Sequence, residues 1–423
     1  MAGAPPPLLP TAPPIITGPP PPPAANSSSG RKFIGFVVSL FLGFFLASGV
    51  VSVLDDSCVL FFGNHFLTSL SSLITCLTIL LAVLVYGLTG LTPVVPKRIV
   101  LPVLLVIACT LLIALPVTIY GYNRVLQVDW LCSWVIVVLG VALLRRLQGG
   151  WRLRWPLVPD QHLGTRAFSW LNLSAFLLLN LFVVLPAVAV YVGGCAGLAV
   201  SHFTGGFVSL RPSGVVMQAR KYTRADGKTI LLFPMSHIAE SDFYRSVTQT
   251  VGSNSVVLLE GVKDSQHLLT NHLSYKRAAK SMHLAEQHED FNLEQGELVW
   301  ADVDIKEFSS NTIALLNLAA LVHSEGLNAH TISLVLECNP SDEVEQQLLE
   351  DVLLKRNRHV VEVLQARLAG SDNFIIPWGA AHMAGIAREI EKSGFHLVAT
   401  RDYVSIRFGG KGSAGGGWIQ RKD

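Results

Sequence analysis

The sequence predicts a multi-pass α-helical membrane bundle of five spans, followed by an α/β domain with a central mixed, largely parallel sheet. Two observations predict this division. Up to about residue 203 the chain has few acids and long apolar runs, each suited to a hydrocarbon core of about 30 Å. Beyond that point the composition is that of a globular protein, and short β-branched runs alternate with helical patterns.

The chain divides into four regions by composition. Residues 1–30 form a Pro-, Ala- and Ser-rich tail that we expect to be disordered, because it has too few bulky residues to bury a core. Residues 31–203 are the five-span domain, 204–408 the α/β domain, and 409–423 a flexible, Gly-rich basic tail. The net charge of +2 gives no indication of nucleic-acid binding, and we predict no nucleic-acid partner.

Five apolar runs are long enough to be spans: Phe33–Leu54, Phe66–Leu91, Ile99–Tyr120, Val128–Leu144 and Phe168–Val200. The fifth run is longer than one span needs and contains Pro186, so we expect a kink or a tilt. A hairpin of two short spans is the alternative. No ionisable residue lies in the middle of a run, which favours an anchor in the lipid bilayer over a transporter.

Basic residues predict the orientation of the bundle. Nine flank the runs on one side: Arg31, Lys32, Lys97, Arg98, Arg145, Arg146, Arg152, Arg154 and Arg166. The opposite loops contain Arg124 with the acids Asp55 and Asp56. The positive-inside rule therefore predicts a cytoplasmic N-terminus. With an odd number of spans, the α/β domain is then extracytoplasmic. We expect the protein to lie in a plasma membrane or a bacterial inner membrane.

The second half of the chain reads as alternating strands and helices. We predict strands at 213–220, 228–233, 255–259, 298–303, 373–377, 395–400 and 403–408. We predict helices at 241–250, 311–324, 342–369 and 380–392, and a polar, His-rich helical region at 266–290. Such alternation is typical of a sheet covered by helices on both faces.

Several of these strands end in a polar residue. His237, Glu260, Asp302 and His382 each follow a strand closely. If the strands are parallel neighbours, these side chains meet at one edge of the sheet. Two imidazoles with a carboxylate match the ligands of Zn²⁺, Mn²⁺ or Co²⁺, which would make a bound water nucleophilic. Each residue also has a structural interpretation, as a helix cap, a turn residue, a solvated acid or a core histidine.

Two polar residues lie on the apolar stripe of the predicted helix 342–369. Asn357 is on the stripe and Arg356 is on its flank, so both need buried partners. Arg356 could bind a substrate carboxylate or a developing oxyanion, or it could pair with a structural acid. The sequence has no G-x-S-x-G or Walker motif, which argues against serine hydrolases and nucleotide-binding enzymes.

Four short motifs occur in order: Pro234-Met235-Ser236-His237, Val257-Leu258-Leu259-Glu260, Lys355-Arg356-Asn357 and Gly379-Ala380-Ala381-His382. In this order they resemble the TraB/TIKI family, which is related to the erythromycin-esterase and ChaN-like proteins. The resemblance covers residues 205–405 and leaves out the membrane half. Pro234 stands where the family has glycine.

The resemblance implies a metal-dependent peptidase-like or other hydrolase-like site. His237, Glu260 and His382 would bind the ion, and Glu260 would alternatively act as general base. Arg356, Asn357 and Asp302 would contact a peptide or another acyl substrate near the membrane. Some members of the family have no established catalysis. The alternative is therefore a non-catalytic peptide-binding or signalling receptor that keeps the fold.

Overall fold

The computed structural model describes residues 29–270, 275–326, 328–338, 340–409 and 419–420. The chain forms two compact units, one up to Ala187 and one from Val188 onwards. The predicted N-terminal tail lies outside the described residues except for Ser29 and Gly30, which begin the first helix. Of the predicted C-terminal tail, the described residues beyond Gly409 are Ile419 and Gln420, which form a short strand.

Five helical runs in the described residues are long and apolar enough to cross a membrane, as the sequence predicts. They are α1 (Ser29–Phe62), α2 (Thr68–Leu91), α3 (Lys97–Tyr120), α4 (Val125–Gln148) and a run of α5 (Trp170–Leu179) and α6 (Leu185–Phe203). The last two helices are joined by a π-helical turn, Asn180–Val184. This turn ends two residues before Pro186, which cannot donate a backbone hydrogen bond. The fifth run is thus one interrupted helix and not a hairpin.

The first helix is longer than the sequence predicts. Because α1 continues to Phe62, Asp55 and Asp56 lie inside a helix, and their assignment to a loop is wrong. The buried carboxylate of Asp55 accepts a hydrogen bond from Thr68 at 3.0 Å. The carboxylate of Asp56 accepts one from Ser133 of α4 at 3.3 Å. Hydroxyl groups of neighbouring helices therefore provide hydrogen bonds to these acids at the end of the bundle.

The second unit contains a mixed sheet in the order β10-β9-β2-β3-β8-β5-β7, with β1 also paired to β2. Its strands are β1 (Val208–Arg211), β2 (Gly214–Thr223), β3 (Thr229–Met235), β5 (Val256–Leu259), β7 (Glu297–Trp300), β8 (Asn373–Gly379), β9 (His396–Arg407) and β10 (Ile419–Gln420). A separate pair consists of β4 (Ile238–Ala239) and β6 (Ala285–Glu286). The neighbours β3, β8, β5 and β7 are parallel, as predicted. The predicted final pair of strands is instead the single long strand β9, which pairs with β2.

The helices of this unit are α7 (Ser241–Thr248), α8 (Lys276–Ser281), α9 (Gln287–Asp290), α10 (Ser310–Glu325), α11 (Ala329–Glu337), α12 (Asp342–Leu349), α13 (Arg356–Arg367) and α14 (Ala380–Lys392). A π-helical turn, Glu350–Lys355, joins α12 to α13. The sequence does not predict α11. Of the helical region expected at 266–290, the described residues form only the short helices α8 and α9, and positive φ angles of 54° at His267 and 56° at His283 interrupt it. Residues 271–274 of that region lie outside the described residues.

Both faces of the central strands β3, β8 and β5 are buried, as these apolar strands require. Phe374 and Ile376 of β8 pack on one face with residues of α13 and α14. Between them, Ile375 points to the other face and packs with Val257 and Val251. The covered faces hold the four parallel strands in register, so their carboxyl ends form one edge of the sheet.

Candidate functional site

Arg356 is the centre of a buried polar cluster at this edge. It is the first residue of α13, directly after the π-helical turn. Its Nε donates to Oδ1 of Asp302 at 2.9 Å, and Nη2 donates to Oδ2 of Asp302 at 2.7 Å and to Oε1 of Glu260 at 2.8 Å. Nη1 donates to Nε2 of His382 at 3.2 Å and to the carbonyl of Val352 at 3.4 Å. All five N–H groups of the guanidinium therefore have acceptors.

Asp302 lies two residues beyond β7, and its side chain is fully buried beneath Arg356. Its oxygens also accept hydrogen bonds from the backbone N–H groups of Gly261 at 3.0 Å and Val303 at 2.9 Å. Burial raises the pKa of Asp302, but the bonds from Arg356 and these amides outweigh it and hold the pKa below its usual value. In this arrangement Asp302 holds the guanidinium of Arg356 in position.

Glu260 follows β5 directly and is the most accessible charged residue of the cluster, with 15% of its side chain exposed. Its Oε2 accepts a hydrogen bond from the backbone N–H of Gly379 at 2.5 Å. Its Oε1 lies 3.6 Å from Nε2 of His382. Gly379 allows this approach, because a Cβ there would lie 3.2 Å from the carboxylate. Glu260 is thus held at two points and is open to solvent.

His382 is in the first turn of α14 and is 5% exposed. Because Arg356 can only donate, Nε2 of His382 accepts, and the ring proton is assigned to Nδ1, 2.7 Å from Oδ1 of Asn357. Burial, followed by the charge of Arg356, lowers the pKa of His382 from 6.5 to about 4. The imidazole is therefore neutral at neutral pH. Trp378 packs edge-on against it at 5.3 Å between ring centroids.

Asn357 orients the imidazole of His382. It is buried in α13 and packs against Gly385 of α14. A Cβ at Gly385 would lie 2.4 Å from Nδ2 of Asn357, so the contact requires glycine. This role could not be predicted from the sequence, since Asn357 and His382 are 25 residues apart and no local pattern joins them. The sequence feature that indicates this contact is Gly385, a small residue one helical turn after His382.

His237 does not join the cluster. It lies two residues beyond β3, is exposed, and stacks on Tyr275 with ring centroids 5.0 Å apart and an angle of 9° between the rings. Its carbonyl accepts a hydrogen bond from the N–H of Gln287 at 2.9 Å. The pairing of β4 with β6 begins at the next residue and directs the chain towards α8 and α9.

The predicted ligands do not fit a divalent ion in this arrangement. Within the described residues, three potential ligand atoms approach within 4.8 Å of one another at Glu286, His288 and Glu289, and not at His237, Glu260 and His382. The guanidinium of Arg356 also lies against both the Glu260 carboxylate and Nε2 of His382. This cation takes the place that a metal ion shared by those atoms would need.

An exposed tryptophan borders the accessible side of the cluster. Trp300, the last residue of β7, is 58% exposed, and Leu298 on the same face of the strand is 46% exposed. The indole packs over Gly261, where a Cβ would lie 2.8 Å from the ring. A large apolar surface therefore adjoins Glu260, which precedes Gly261.

Comparisons with protein-family models, with curated proteins and with solved structures find no match for this chain. The resemblance to the TraB/TIKI family therefore stays a prediction based on four short motifs.

Proposed function

We propose that this protein is a membrane-anchored hydrolase of a peptide or another acyl compound. Its reaction would take place beside the side chains of Glu260 and His382. The five apolar runs support the anchor. The observation that carries the proposal is the pairing of an accessible carboxylate with a neutral imidazole, 3.6 Å apart, beside a buried arginine. The excess of basic residues in the loops supports a cytoplasmic N-terminus and an extracytoplasmic α/β domain.

In the proposed reaction, Glu260 removes a proton from a water molecule as its oxygen attacks the acyl carbon. The C–N or C–O bond then breaks, and the same proton passes from Glu260 to the leaving amine or alcohol. Nη1 of Arg356 makes the two longest bonds of the guanidinium, 3.2 Å and 3.4 Å. Its N–H groups are therefore the ones available for a developing oxyanion. When the N–H group that donates to Nε2 of His382 turns to the oxyanion, Nε2 becomes free to accept a hydrogen bond from the water.

The edge of the sheet supports a peptide as the substrate. In the described residues β7 is the last strand on its side, so its outer edge offers unpaired backbone groups. An extended peptide can add to such an edge by backbone hydrogen bonds, with apolar side chains against Leu298 and Trp300. The outer edge of β7 is one strand away from β5, which ends directly before Glu260.

A catalytic test uses the full chain in lipid nanodiscs, with internally quenched peptides and p-nitrophenyl esters as probes. We expect wild-type turnover, and we expect Glu260→Gln to lower kcat/KM by about 10²–10⁴-fold, the usual contribution of a general base. Glu294→Gln, on an exposed residue, is the matched control and should have no effect. No turnover of any probe, or equal turnover by both variants, would contradict the proposal.

The metal-dependent form of the reaction requires His237 and Arg356 to leave the positions described above. A stoichiometric Zn, Mn or Co ion in the purified full chain, lost in both His237→Ala and His382→Ala, would support that form. Purified protein that contains no metal ion and still cleaves the probes would support the reaction without metal.

A non-catalytic peptide receptor is the second candidate, and the saturated hydrogen bonds of Arg356 favour it. A receptor would retain members of the peptide set without cleaving them. Its binding would weaken on Trp300→Ala and would be unchanged by Glu260→Gln.

A further inference from the structure

The chain between α4 and α5, residues 149–169, is a folded segment packed on the ends of the helices. Its Val158 is fully buried and donates its N–H to Oγ of Ser39 in α1 at 3.0 Å. The N–H of Gly164 donates to the carbonyl of Val94 at 3.0 Å, and a Cβ at Gly164 would lie 2.3 Å from the carbonyl oxygen of Pro93. The apolar side of this segment is therefore fixed against the bundle.

Arg31 ties the same segment to the start of α1. Its Nη2 donates to the carbonyls of Asp160 at 2.8 Å and Leu163 at 3.1 Å. Leu163 is buried and reaches Gly35, where a Cβ would lie 2.9 Å from its Cδ1. The segment is therefore held against the helices by both its backbone and its apolar side chains.

The segment begins with the sequence Trp151-Arg152-Leu153-Arg154-Trp155, and all five residues are exposed, although Trp155 also packs edge-on against Phe36 of α1. Trp151 is 72% exposed, Leu153 66% and Trp155 56%. We call this run, together with Arg166 and Trp170, the Trp–Arg face. Trp170, the first residue of α5, is 74% exposed. Aromatic and basic residues thus alternate along an exposed stretch of sequence next to two apolar helices.

Within the described part of the chain, the basic residues of this face have no acidic partners. Neither Arg152, Arg154 nor Arg166 forms an ion pair with an acidic residue of the described chain. Asp160 is the single acid between Arg145 and Trp170 in the sequence. The guanidinium of Arg145 lies 4.8 Å from the ring centroid of Trp151, which orients the indole without neutralising the charge. The face is therefore a concentrated positive charge that lacks an anion from the protein.

We propose that the Trp–Arg face binds the phosphate headgroups of anionic phospholipids in the leaflet that surrounds it. Both ends of the segment run directly into membrane-spanning helices, so the face lies at the boundary between bilayer and water. Tryptophan side chains favour this boundary, and guanidinium groups bind phosphate through two hydrogen bonds at once. Anionic lipid also provides the negative charge that unpaired basic residues beside a span attract.

The test measures lipid binding to the full chain in detergent micelles by native mass spectrometry, with phosphatidylglycerol and phosphatidylcholine of equal chain length as probes. We expect wild-type protein to bind phosphatidylglycerol at least tenfold more tightly, with a preference that falls as salt increases. We expect Arg152→Gln/Arg154→Gln/Arg166→Gln to lose most of that preference, by up to about fivefold per arginine. Melting temperature in phosphatidylcholine nanodiscs reports whether the variant is folded.

The matched control is Arg245→Gln/Arg277→Gln/Arg388→Gln, which removes the same charge from exposed positions of the α/β domain. It should keep the wild-type preference. Equal binding of the two lipids by the wild type would overturn the proposal without any variant. So would an equal loss in the control, because the effect would then follow net charge and not this face. Displacement of the lipid by 10 mM inorganic phosphate would assign the site to a free anion instead.

Discussion

Arg356 shows how the fold keeps several charges buried in one place. Two carboxylates and the guanidinium share a network in which each N–H has an acceptor and Asp302 receives four hydrogen bonds. Breaking a buried ion pair by removal of one partner typically costs about 3–5 kcal/mol, because an uncompensated charge remains. The network therefore serves to hold Glu260 and His382 in position, and its members depend on one another.

The neutral state of His382 predicts a dependence of stability on pH. Its pKa is lowered from 6.5 to about 4, so the unfolded chain takes up a proton at a higher pH than the folded chain. The contribution of His382 to stability is then fully present above pH 6.5 and is lost as the pH falls from 6.5 towards 4. A shift of this size corresponds to about 3 kcal/mol. Thermal unfolding of the full chain in detergent, followed from pH 8 to pH 4, measures the effect.

His382→Gln is the control for this prediction, since glutamine keeps polar atoms but has no titrating group. The slope between pH 6.5 and 4 should become shallower in this variant, while His288→Gln, on an exposed histidine, should behave as the wild type. An unchanged slope in His382→Gln would show that another group titrates in this range.

At the scale of elements, the approach of α13 to α14 decides where the imidazole points. Asn357 on α13 reaches His382 only because Gly385 leaves room on α14. The π-helical turn directly before Arg356 widens the helix at this point, a feature often found at functional sites. The arrangement of the polar side chains thus follows from a close contact between two helices and not from either helix alone.

This contact predicts the effect of Gly385→Ala. The new methyl group would lie 2.4 Å from Nδ2 of Asn357 if nothing moved, so we expect a loss of about 1–3 kcal/mol through overpacking. The same substitution in an Asn357→Ala background should cost much less, because the clash is removed. Chemical denaturation of the four proteins of this double-mutant cycle measures the coupling. Additive losses would mean that the two residues do not touch.

At the scale of the whole molecule, an odd number of spans predicts that the two ends of the chain lie on opposite sides of the membrane. Epitope tags at the two termini test this in intact and permeabilised cells. Under the proposed orientation the C-terminal tag is labelled in intact cells and the N-terminal tag after permeabilisation. Labelling of both tags on one side would mean that one of the five runs does not cross the bilayer, or that one crosses twice.

Much of the fold follows from local patterns. Apolar runs of sufficient length predict the five helices, and β-branched runs predict β3, β5, β7 and β8. The helix predicted at 380–392 matches α14 at both ends. Predictions failed where local pattern is weak. Backbone turns at His267 and His283 interrupt the expected helix, and the polar residues Arg401 and Asp402 suggested a break in what is one strand, β9.

The candidate site was predictable only in part. The rule that parallel strands end at one edge brings Glu260, Asp302 and His382 together, and the apolar stripe adds Arg356 and Asn357. The same rule includes His237, which instead stacks on Tyr275. The direction of a side chain just beyond the end of a strand depends on the next few residues and their partners. No pattern in the sequence contains that information.

The sequence by itself determined the membrane spans, the parallel core of the sheet and most of the residues that meet at its edge. These follow from the burial of apolar groups, which acts through periodicity and length along the chain. The tertiary structure alone decided that Asp302 and Asn357 hold Arg356 and His382, and that a guanidinium lies where a metal ion was expected. Hydrogen bonds in a buried site depend on distances of a few tenths of an ångström between residues far apart in sequence, and only the packed helices set those distances.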